Sequence, residues 1–390
     1  MKRHFFLNYL IVFFVFVTSA NSQMKDGLAF IDVKKNYPEK ELILTDIADV
    51  SYVHLSTIDD DFLYKGTISF VTENTIVVND FSSGSILFFS LDGNPKARFN
   101  HKGNGPADYN GRPVLYEESK DEIYVLTSFP NHIQVYSSKG EYKRKLTFPQ
   151  GALVQQVVSY DDKSLLVYDG SKSLKKLQPV KTPDSFSNEN DSSLFIISKS
   201  DGKVLDYIAL PNNNKVSLTF ESGTGMFMIF PTLITKCPEG FLLCHPETDM
   251  VFLYNSNKSL SPFMRKTPLV SDLDPIIYLD NCMDIGKYQF MRTESLLPKE
   301  GSPLPQNFYF RDEKTGEVFR QKITLPDYIG KEFFISPTMY ADEKKYHFEL
   351  ELIELKQAFK ENKLKGKLKE LVATLNEDED NNVFILVDFH

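Results

Sequence analysis

Apolar and polar residues alternate along most of the chain in short runs that are separated by polar turns. Residues 131–149, NHIQVYSSKGEYKRKLTFP, show the unit: an alternating run, a Ser-Lys-Gly turn and a second run. Alternation with a period of two is typical of β-strands. The turns LDGN, SKGE, SDGK and KTGE each place glycine where a tight hairpin needs positive φ. The pattern therefore predicts a chain built mainly of antiparallel hairpins.

The hairpin pattern recurs in five units, which predicts a β-propeller. Comparable points in the first two units are Ile76 and Ile123, and this spacing is close to the roughly 40–50 residues of a propeller blade. Blades bury both faces against their neighbours, and a closed ring leaves few open edges. A β-sandwich is the alternative, but it does not require one pattern to recur. The units are residues 75–99, 122–149, 164–211, 240–268 and 287–326.

The two ends of the chain are predicted to complete a sixth blade. Residues 332–351 begin this blade, and the apolar run at 382–389 ends the chain. The N-terminal strand at 42–57 has no blade of its own, so we predict that it pairs beside the C-terminal strand. Residues 364–375 carry apolar side chains at i, i+4, i+7, i+8 and i+11, the pattern of an amphipathic helix. The predicted fold class is all-β, a six-bladed β-propeller with one amphipathic helix near the C-terminus.

The N-terminal residues have the three regions of an export signal. Lys2 and Arg3 precede an apolar core at 7–17, and small residues follow, so we predict cleavage after Ser22. The apolar run is shorter than the roughly 20 residues of a membrane span; a retained anchor is the alternative. No cysteine follows the run, which argues against a lipid anchor. We expect one propeller domain over residues 23–390, periplasmic or secreted, with no membrane span after cleavage.

The charge of the chain argues against a nucleic-acid partner, and its composition is that of a globular protein rich in strands. The 42% hydrophobic and 25% charged residues are typical of a globular protein, and the 32 phenylalanines and 19 tyrosines favour strands. The formal net charge is −9, whereas a nucleic-acid partner usually needs a basic face, so we expect no nucleic acid. The phenylalanine pairs at 88–89 and 333–334 are predicted to pack between blades.

Three cysteines, Cys237, Cys244 and Cys282, occur in a chain that is predicted to be exported. An exported compartment permits disulfides. Cys237 and Cys244 flank a turn, but in a simple two-residue hairpin they are not directly opposite each other. Three small buried apolar residues are the favoured interpretation, and a bridge between Cys237 and Cys244 stays open.

The most distinctive local motif is the loop HKGNGPADYNGR at 101–112. Its glycines are expected to let the backbone turn with positive φ, and its polar and aromatic side chains are candidates for ligand binding. An inter-blade connection with purely geometric glycines is the favoured alternative. The loop is not a dinucleotide motif, because the third glycine is absent and no βαβ unit surrounds it. The candidate ligand-binding residues are His101, Lys102, Asn104, Asp108, Tyr109 and Arg112.

No sequence pattern points to a catalytic residue, a metal or a cofactor. The seven histidines lie far apart, without an H-E-x-x-H motif or zinc spacing. The acidic runs at 58–62 and 376–382 lack the alternating ligands and glycine of a calcium loop. There is no G-x-S-x-G elbow and no phosphate-binding loop. We therefore expect no cofactor and no metal, and leave open whether the protein is an enzyme.

Residues 131–146 resemble the NHL repeat, N-x-R-I-Q-V-F-D-x-x-G-x-F, with His132 in place of its arginine and Ser137 in place of its aspartate. The chain from about residue 40 is similar to a family of exported bacterial six-bladed propellers of uncharacterised function. Shared features are LTDIADVSYVHLST, KGNGPADY and LKELVATLNEDEDNNVFILVDF. Members are often lipoproteins, which we do not expect of this chain because no cysteine follows its apolar run. The resemblance implies the fold and no activity.

Together these features predict a non-catalytic binding or scaffold module of the bacterial envelope that offers one face to a protein, peptide or glycan. The alternative is a propeller enzyme with a metal-dependent lactonase- or lyase-like site in the central channel. Stoichiometric calcium or zinc held by three or more converging side chains would favour the enzyme. The fold itself decides neither, because one propeller architecture supports many functions.

Overall fold

The computed structural model describes most of the mature chain. The predicted export signal lies outside the described residues, so its cleavage stays a prediction. The described ranges are residues 24–25, 28–57, 62–128, 131–171, 192–211, 219–222, 225–228, 232–245, 248–295, 305–337, 345–377 and 379–390.

Strands dominate these ranges, as the alternating pattern predicts. The strands are β1 (Met24–Lys25), β2 (Leu28–Asp32), β3 (Glu39–Ile43), β4 (Ala48–His54), β5 (Gly66–Val71), β6 (Ile76–Asp80), β7 (Ile86–Phe89), β8 (Pro95–Phe99), β9 (Gly111–Glu117), β10 (Glu122–Ser128), β11 (Asn131–Tyr136), β12 (Tyr142–Thr147), β13 (Val154–Ser159), β14 (Ser164–Asp169), β15 (Leu194–Ser198), β16 (Val204–Ile208), β17 (Thr219–Ser222), β18 (Gly225–Met228), β19 (Ile234–Cys237), β20 (Gly240–Leu243), β21 (Met250–Asn255), β22 (Leu260–Thr267), β23 (Ile277–Asp284), β24 (Tyr288–Ser295), β25 (Gln306–Asp312), β26 (Val318–Leu325), β27 (Tyr328–Phe333), β28 (Lys345–Leu350) and β29 (Val383–Phe389). The helices are α1 (Leu352–Lys360) and α2 (Gly366–Thr374), and short 3₁₀ turns lie at Leu44–Asp46, Glu118–Lys120 and Val270–Asp272.

The strands form a six-bladed β-propeller, so the predicted fold class is confirmed. Blades 1, 2 and 3 are four-stranded sheets in chain order, β5–β8, β9–β12 and β13–β16. Blade 4 is β19–β22, with β2 added in parallel beside β22 and β1 outside it. Blade 5 is β23–β27, with β3 in parallel beside β26. The strands β17 and β18 pair as a separate hairpin.

Blade 6 contains strands from both ends of the chain. It has the order β28–β29–β4, and β4 runs antiparallel to β29 from the pair Val383–His54 to the pair Phe389–Ala48. The segment 42–57 therefore belongs to two blades, because Leu42 and Ile43 are part of β3 beside blade 5. A 3₁₀ turn divides the two strands.

The two helices lie in the connection from β28 to β29. Helix α2 falls within the predicted helical segment, and it buries Leu368 and Val372 completely. Helix α1 is a further helix that the sequence pattern does not predict. Its N-cap residue is Glu351, which makes no side-chain capping bond, so the usual start signal of a helix is absent. Leu355 of α1 packs into the same apolar cluster as Leu368.

Apolar clusters lie between neighbouring blades, which is how a propeller buries both faces of each sheet. Between blades 1 and 2, Phe88 meets Tyr116 with ring centroids 5.3 Å apart; between blades 5 and 6, Phe290 stacks on Phe389 at 6.2 Å. A further cluster, between blades 4 and 5, contains three cysteines that are buried free thiols, and burial raises the pKa of each. The cysteines are Cys237, Cys244 and Cys282.

Polar side chains also connect the first strands of successive blades, which line the centre of the ring. The main-chain N–H of Thr232 donates to Asp280 Oδ1 at 2.7 Å. Thr235 Oγ1 donates to the carbonyl of Cys282 at 2.6 Å. These first strands run in the same direction, because the two contacts advance together along both chains. Gln156 of blade 3 makes a similar connection to blade 4, through three hydrogen bonds to its backbone.

A half-buried ion pair in blade 2 predicts a pH-dependent contribution to stability. Arg144 donates two hydrogen bonds of 2.6 Å to the carboxylate of Glu122 and a third to the carbonyl of Lys199 at 2.7 Å. Arg144 lowers the pKa of Glu122 from 4.5 to about 2. Because the pKa of the acid is lower in the folded protein, the pair stabilises the fold above about pH 4.5. This stabilisation is lost as the pH falls towards 2.

Replacing Arg144 by methionine is therefore expected to lower the free energy of unfolding by about 2 kcal/mol at pH 7. The difference from the wild type should shrink steadily between pH 5 and pH 2.5, measured by urea unfolding at several pH values. Lys203→Met is the control, since the pair of Lys203 with Asp201 is exposed and screened by solvent, and its removal should leave the free energy of unfolding close to that of the wild type. A difference that is the same at every pH would contradict this account.

Candidate functional site

The loop with the predicted ligand-binding residues connects β8 of blade 1 to β9 of blade 2. Its ends are joined by hydrogen bonds from Tyr109 N to the carbonyl of His101, at 2.9 Å, and from Gly103 N to the carbonyl of Tyr109, at 3.0 Å. The carboxylate of Asp108 lies under the turn and accepts a 2.7 Å bond from Gly105 N. The expectation of positive φ at Gly103 and Gly105 is wrong. A Cβ on Gly103 would lie 2.4 Å from Asp108 Oδ2, so glycine is needed there for close approach of the carboxylate.

Two aromatic side chains of the loop hold it against the neighbouring turns. His101 Nε2 lies 2.8 Å from the carbonyl oxygen of Gly140, and its ring stacks on Tyr136 with centroids 5.5 Å apart. The ring of Tyr109 is buried, and its hydroxyl donates to the carbonyl of Gly84 at 2.7 Å. These contacts are those of an inter-blade connection that is fixed on both sides.

The remaining candidates of the loop point to different places. Arg112 lies in β9, the first strand of blade 2, and donates to the carbonyl of Gln155 in blade 3 at 3.0 Å. Lys102 and Asn104 are exposed to solvent. The six predicted residues therefore do not surround one cavity, and four of them take part in contacts that hold the loop or the ring. A ligand-binding role for this loop stays a prediction.

A second polar region lies on blade 5, where β23 contains a β-bulge. The register between β23 and β24 shifts between Leu279 and Cys282, so Asp280 and Asn281 together oppose Arg292. Asn281 is completely buried and has φ of 112°. Such a conformation costs about 1–3 kcal/mol for a residue other than glycine and is found most often at functional sites. Bulges likewise redirect side chains next to binding and active sites.

The bulge places Asp280 where it holds Arg292. Asp280 is completely buried; its Oδ1 accepts the N–H of Thr232, and its Oδ2 accepts Nη2 of Arg292. Burial raises the pKa of Asp280 to about 7, while Arg292 acts in the opposite direction. The arginine side chain keeps 23% of its surface exposed. Asp280 is therefore a buried acid that orients a half-exposed arginine, an arrangement that is enriched at functional sites.

Side chains around this pair form two rows across the strands of blade 5. In one row, Tyr278 lies opposite Glu294, which lies opposite Gln306; in the other, Arg292 lies opposite Phe308. Directly opposite residues of antiparallel strands project from the same face of a sheet. We call this surface, with Phe334 stacked on it, the blade 5 face. Its residues are Tyr278, Asp280, Arg292, Glu294, Gln306, Phe308 and Phe334.

The aromatic part of the blade 5 face is a stacked ring pair, of which Phe334 is exposed and Phe308 is partly buried. Phe308 and Phe334 stack with centroids 4.8 Å apart and an interplanar angle of 27°. Phe334 has 42% of its surface exposed, whereas Phe333 has only 4%. The predicted packing of both between blades is therefore wrong for Phe334. Successive residues of an extended chain point to opposite sides, so only one of the two reaches the core.

One feature of the sequence indicates this site, although it belongs to no repeat pattern and no known motif. Asp280 stands in the apolar run IIYLDNCM, and Arg292 stands in YQFMRTES. Charged residues are almost never fully buried unless they are paired, so charges of opposite sign in two successive apolar strands, as at Asp280 and Arg292, indicate a pair. The sequence does not indicate Thr232, which belongs to a different blade.

Two further findings concern the described ranges as a whole. Within them, no three His, Cys, Asp or Glu side chains come together in a way that could hold a metal ion. Neither α1, α2 nor any other helix in those ranges is long and apolar enough to cross a bilayer.

Two solved structures are similar to this chain, one of them with a TM-score above 0.5. A Bacteroides fragilis protein that is described as exported superposes with a TM-score of 0.59 at 14% identity, over 93% of this chain and 99% of that chain. A Bacteroides vulgatus member of the DUF4221 family gives a TM-score of 0.46 at 11% identity, over 88% of this chain and 97% of that chain. At such identities the likeness concerns the fold alone.

No curated protein matches the sequence. The model of a family described as a domain of unknown function, DUF4934, matches residues 28–388, which is nearly the whole described chain. The chain therefore belongs to the DUF4934 family.

Proposed function

We propose that this protein is an exported, non-catalytic binding or scaffold module of the bacterial cell envelope, whose ligand is a protein, peptide or glycan. The observation that carries the proposal is the blade 5 face, where a buried acid holds a partly exposed arginine beside a stacked aromatic pair with one exposed ring. The predicted export signal and the exported description of the B. fragilis protein support the location.

The blade 5 face has the physical properties of a recognition surface. Arg292 is fixed before any ligand arrives, because Asp280 is itself fixed by the main chain of Thr232. Side chains that are already ordered lose less conformational entropy on binding, and affinity rises accordingly. Arginine and aromatic residues are also the types that contribute most at binding surfaces. The strained bulge at Asn281 joins blade 5 to blade 4, because Asn281 Nδ2 donates to the carbonyl of Leu242, and it also gives Asp280 its position.

The second candidate is a propeller enzyme with a metal-dependent lactonase- or lyase-like site in the central channel. The pKa of Asp280, raised to about 7 by burial, is the observation that favours it. A general base is most effective when its pKa lies near the working pH. Against this, both carboxylate oxygens of Asp280 already accept hydrogen bonds from Thr232 and Arg292.

The test uses the mature protein, residues 23–390, on arrays of envelope glycans and of peptides, followed by calorimetry with the class that binds. A binding module is expected to saturate at one ligand per chain. Mass spectrometry after overnight incubation with a hundredfold excess of that ligand should recover it unaltered. Conversion of the excess ligand would overturn the proposal, as would stoichiometric calcium or zinc in the purified protein.

A further inference from the structure

We infer that the blade 5 face binds a neutral glycan, with a sugar ring stacked on Phe334 and its hydroxyl groups bonded to Arg292 and Glu294. This inference rests on the proposed binding function and names the ligand class and the site. Three features of the face carry it: an open aromatic platform, an arginine with an unused donor, and neighbouring side chains that offer both donors and acceptors.

The aromatic platform has one covered side and one open side. Phe308 supports Phe334 from within the blade, at 4.8 Å between centroids, and Phe334 has 42% of its surface exposed. A ring that is held in place by a second ring and open on its other side offers a flat apolar surface, and burial of this surface by a ligand is favourable. Sugars carry a flat C–H face whose size matches one phenyl ring, and this face gains dispersion and apolar burial when it stacks there.

Arg292 has donors that the protein does not use. Its Nη2 donates to Asp280, while its Nε is buried without an acceptor among the described residues. A buried donor without a partner costs about 1–3 kcal/mol, and such groups are rare unless a ligand or a water satisfies them. Phe308 lies directly opposite Arg292 in the sheet, so the donors and the aromatic platform belong to the same surface.

The second row supplies acceptors beside these donors. Gln306 Nε2 lies 3.3 Å from Glu294 Oε2, and the amide offers both donor and acceptor groups. Neighbouring hydroxyls of a sugar each donate and accept, which suits a carboxylate next to a guanidinium and an amide. Asp280 already offsets the charge of Arg292, and Glu294 adds an acidic group, so the face disfavours an anionic ligand while its donors and acceptors suit a neutral polyhydroxyl one.

The position of the face argues against an extended peptide as its ligand. A peptide that adds to a sheet binds the free backbone groups of an edge strand. Here Arg292 and Glu294 lie on β24, whose backbone pairs with β23 on one side and with β25 on the other. Recognition at this face must therefore use side chains, as a sugar site does.

The experiment measures binding of neutral oligosaccharides to the mature protein and to matched variants by calorimetry. The panel contains gluco-, manno-, galacto-, xylo- and N-acetylglucosamine oligomers of four to six units. At least one oligosaccharide should bind, and Phe334→Ala should weaken its affinity about tenfold or more through loss of stacking. Glu294→Gln should weaken it as well. Phe81→Ala is the matched control, since Phe81 is 61% exposed on blade 1; it should bind as the wild type does.

The possible failures are distinguishable from one another. Failure of the whole panel to bind would overturn the glycan inference. The same inference would be overturned if a peptide bound to the wild type and Phe334→Ala abolished this binding, although the protein would then still be a binding module. Oligosaccharide binding that Phe334→Ala and Phe81→Ala affect equally would overturn the assignment to blade 5. Conversion of a bound oligosaccharide to product would overturn the non-catalytic function while leaving the ligand class in place.

Discussion

Deletion of residues 42–57 is expected to abolish the cooperative unfolding transition of this protein. The deletion removes β4, which pairs with β29 over seven residues, from Ala48 to His54. It also removes Val53 and Leu55, which are buried against blade 1. A propeller closes only if each blade packs on both neighbours, so loss of this strand opens the ring at blade 6 on both sides.

The measurement is thermal unfolding followed by circular dichroism and by amide hydrogen exchange. The truncated chain should show a broad, low-temperature transition and rapid exchange in blades 1, 5 and 6. A synthetic peptide of residues 42–57, added in excess, should restore part of the lost stability by occupying the same position beside β29. Ser51→Asn, on the exposed side of β4, is the control and should unfold like the wild type. A truncated protein that melts like the intact one would refute ring closure by β4.

The contact between β4 and blade 1 can also be tested by adding a single methyl group on blade 1. Gly93, in the β7–β8 turn of blade 1, has φ of 84°, and a Cβ there would lie 1.9 Å from the carbonyl oxygen of His54. Gly93→Ala must therefore strain the turn and push β4 away from blade 1. We expect a clearly lower melting temperature. Gly286→Ala is the control. Gly286 is exposed and has φ of 82°, but a Cβ there would meet no atom within 4 Å. This variant therefore adds backbone strain without a steric clash, and it should lower the melting temperature less.

The blades could be predicted from the sequence because their information is local. The four predicted glycine turns contain Gly93, Gly140, Gly202 and Gly316, and each has φ between 73° and 84°. Alternation and turn chemistry act over fewer than ten residues, so a single sequence reveals them. The amphipathic pattern of α2 is of the same kind. Each of these elements can therefore be predicted from its own residues.

The parts that depend on distant contacts were not predictable in this way. Strands β2 and β3 join blades 4 and 5 in parallel, at positions set by sheets that end more than 200 residues later. The bulge at Asp280 depends on register with β24 and on the main chain of Thr232 in another blade. The glycine-rich loop stands out in the sequence, yet its side chains mainly hold the ring together. A conspicuous motif therefore marks demanding backbone geometry here, whereas the candidate site consists of ordinary residues that the ring brings together.

The second large effect is expected at Gln156, whose side chain joins blades 3 and 4. Gln156 is 2% exposed; its Oε1 accepts the N–H groups of Leu233 and Ile234 at 3.0 Å each, and its Nε2 donates to the carbonyl of Ile234 at 2.6 Å. The amide thus acts as one further peptide unit between two first strands that do not pair directly. Gln156→Leu fills the same space but leaves two buried N–H groups and one buried carbonyl without partners. At about 1–3 kcal/mol for each of the three buried unsatisfied groups, we expect a loss of roughly 3–9 kcal/mol in the free energy of unfolding.

Urea unfolding and hydrogen exchange at Leu233 and Ile234 together test this expectation, because both amides should lose protection in the variant. Gln156→Glu keeps an acceptor for both N–H groups but turns a carboxylate oxygen towards the carbonyl of Ile234. The decrease in the free energy of unfolding of this variant should therefore come from that one repulsive contact. Gln150→Leu makes the same chemical change at an exposed position and should cost less than about 0.5 kcal/mol. If Gln156→Leu stayed within about 1 kcal/mol of the wild type with both amides protected, apolar packing alone would be joining blades 3 and 4. The polar links between first strands would then be a consequence of ring closure, and they would not be one of its causes.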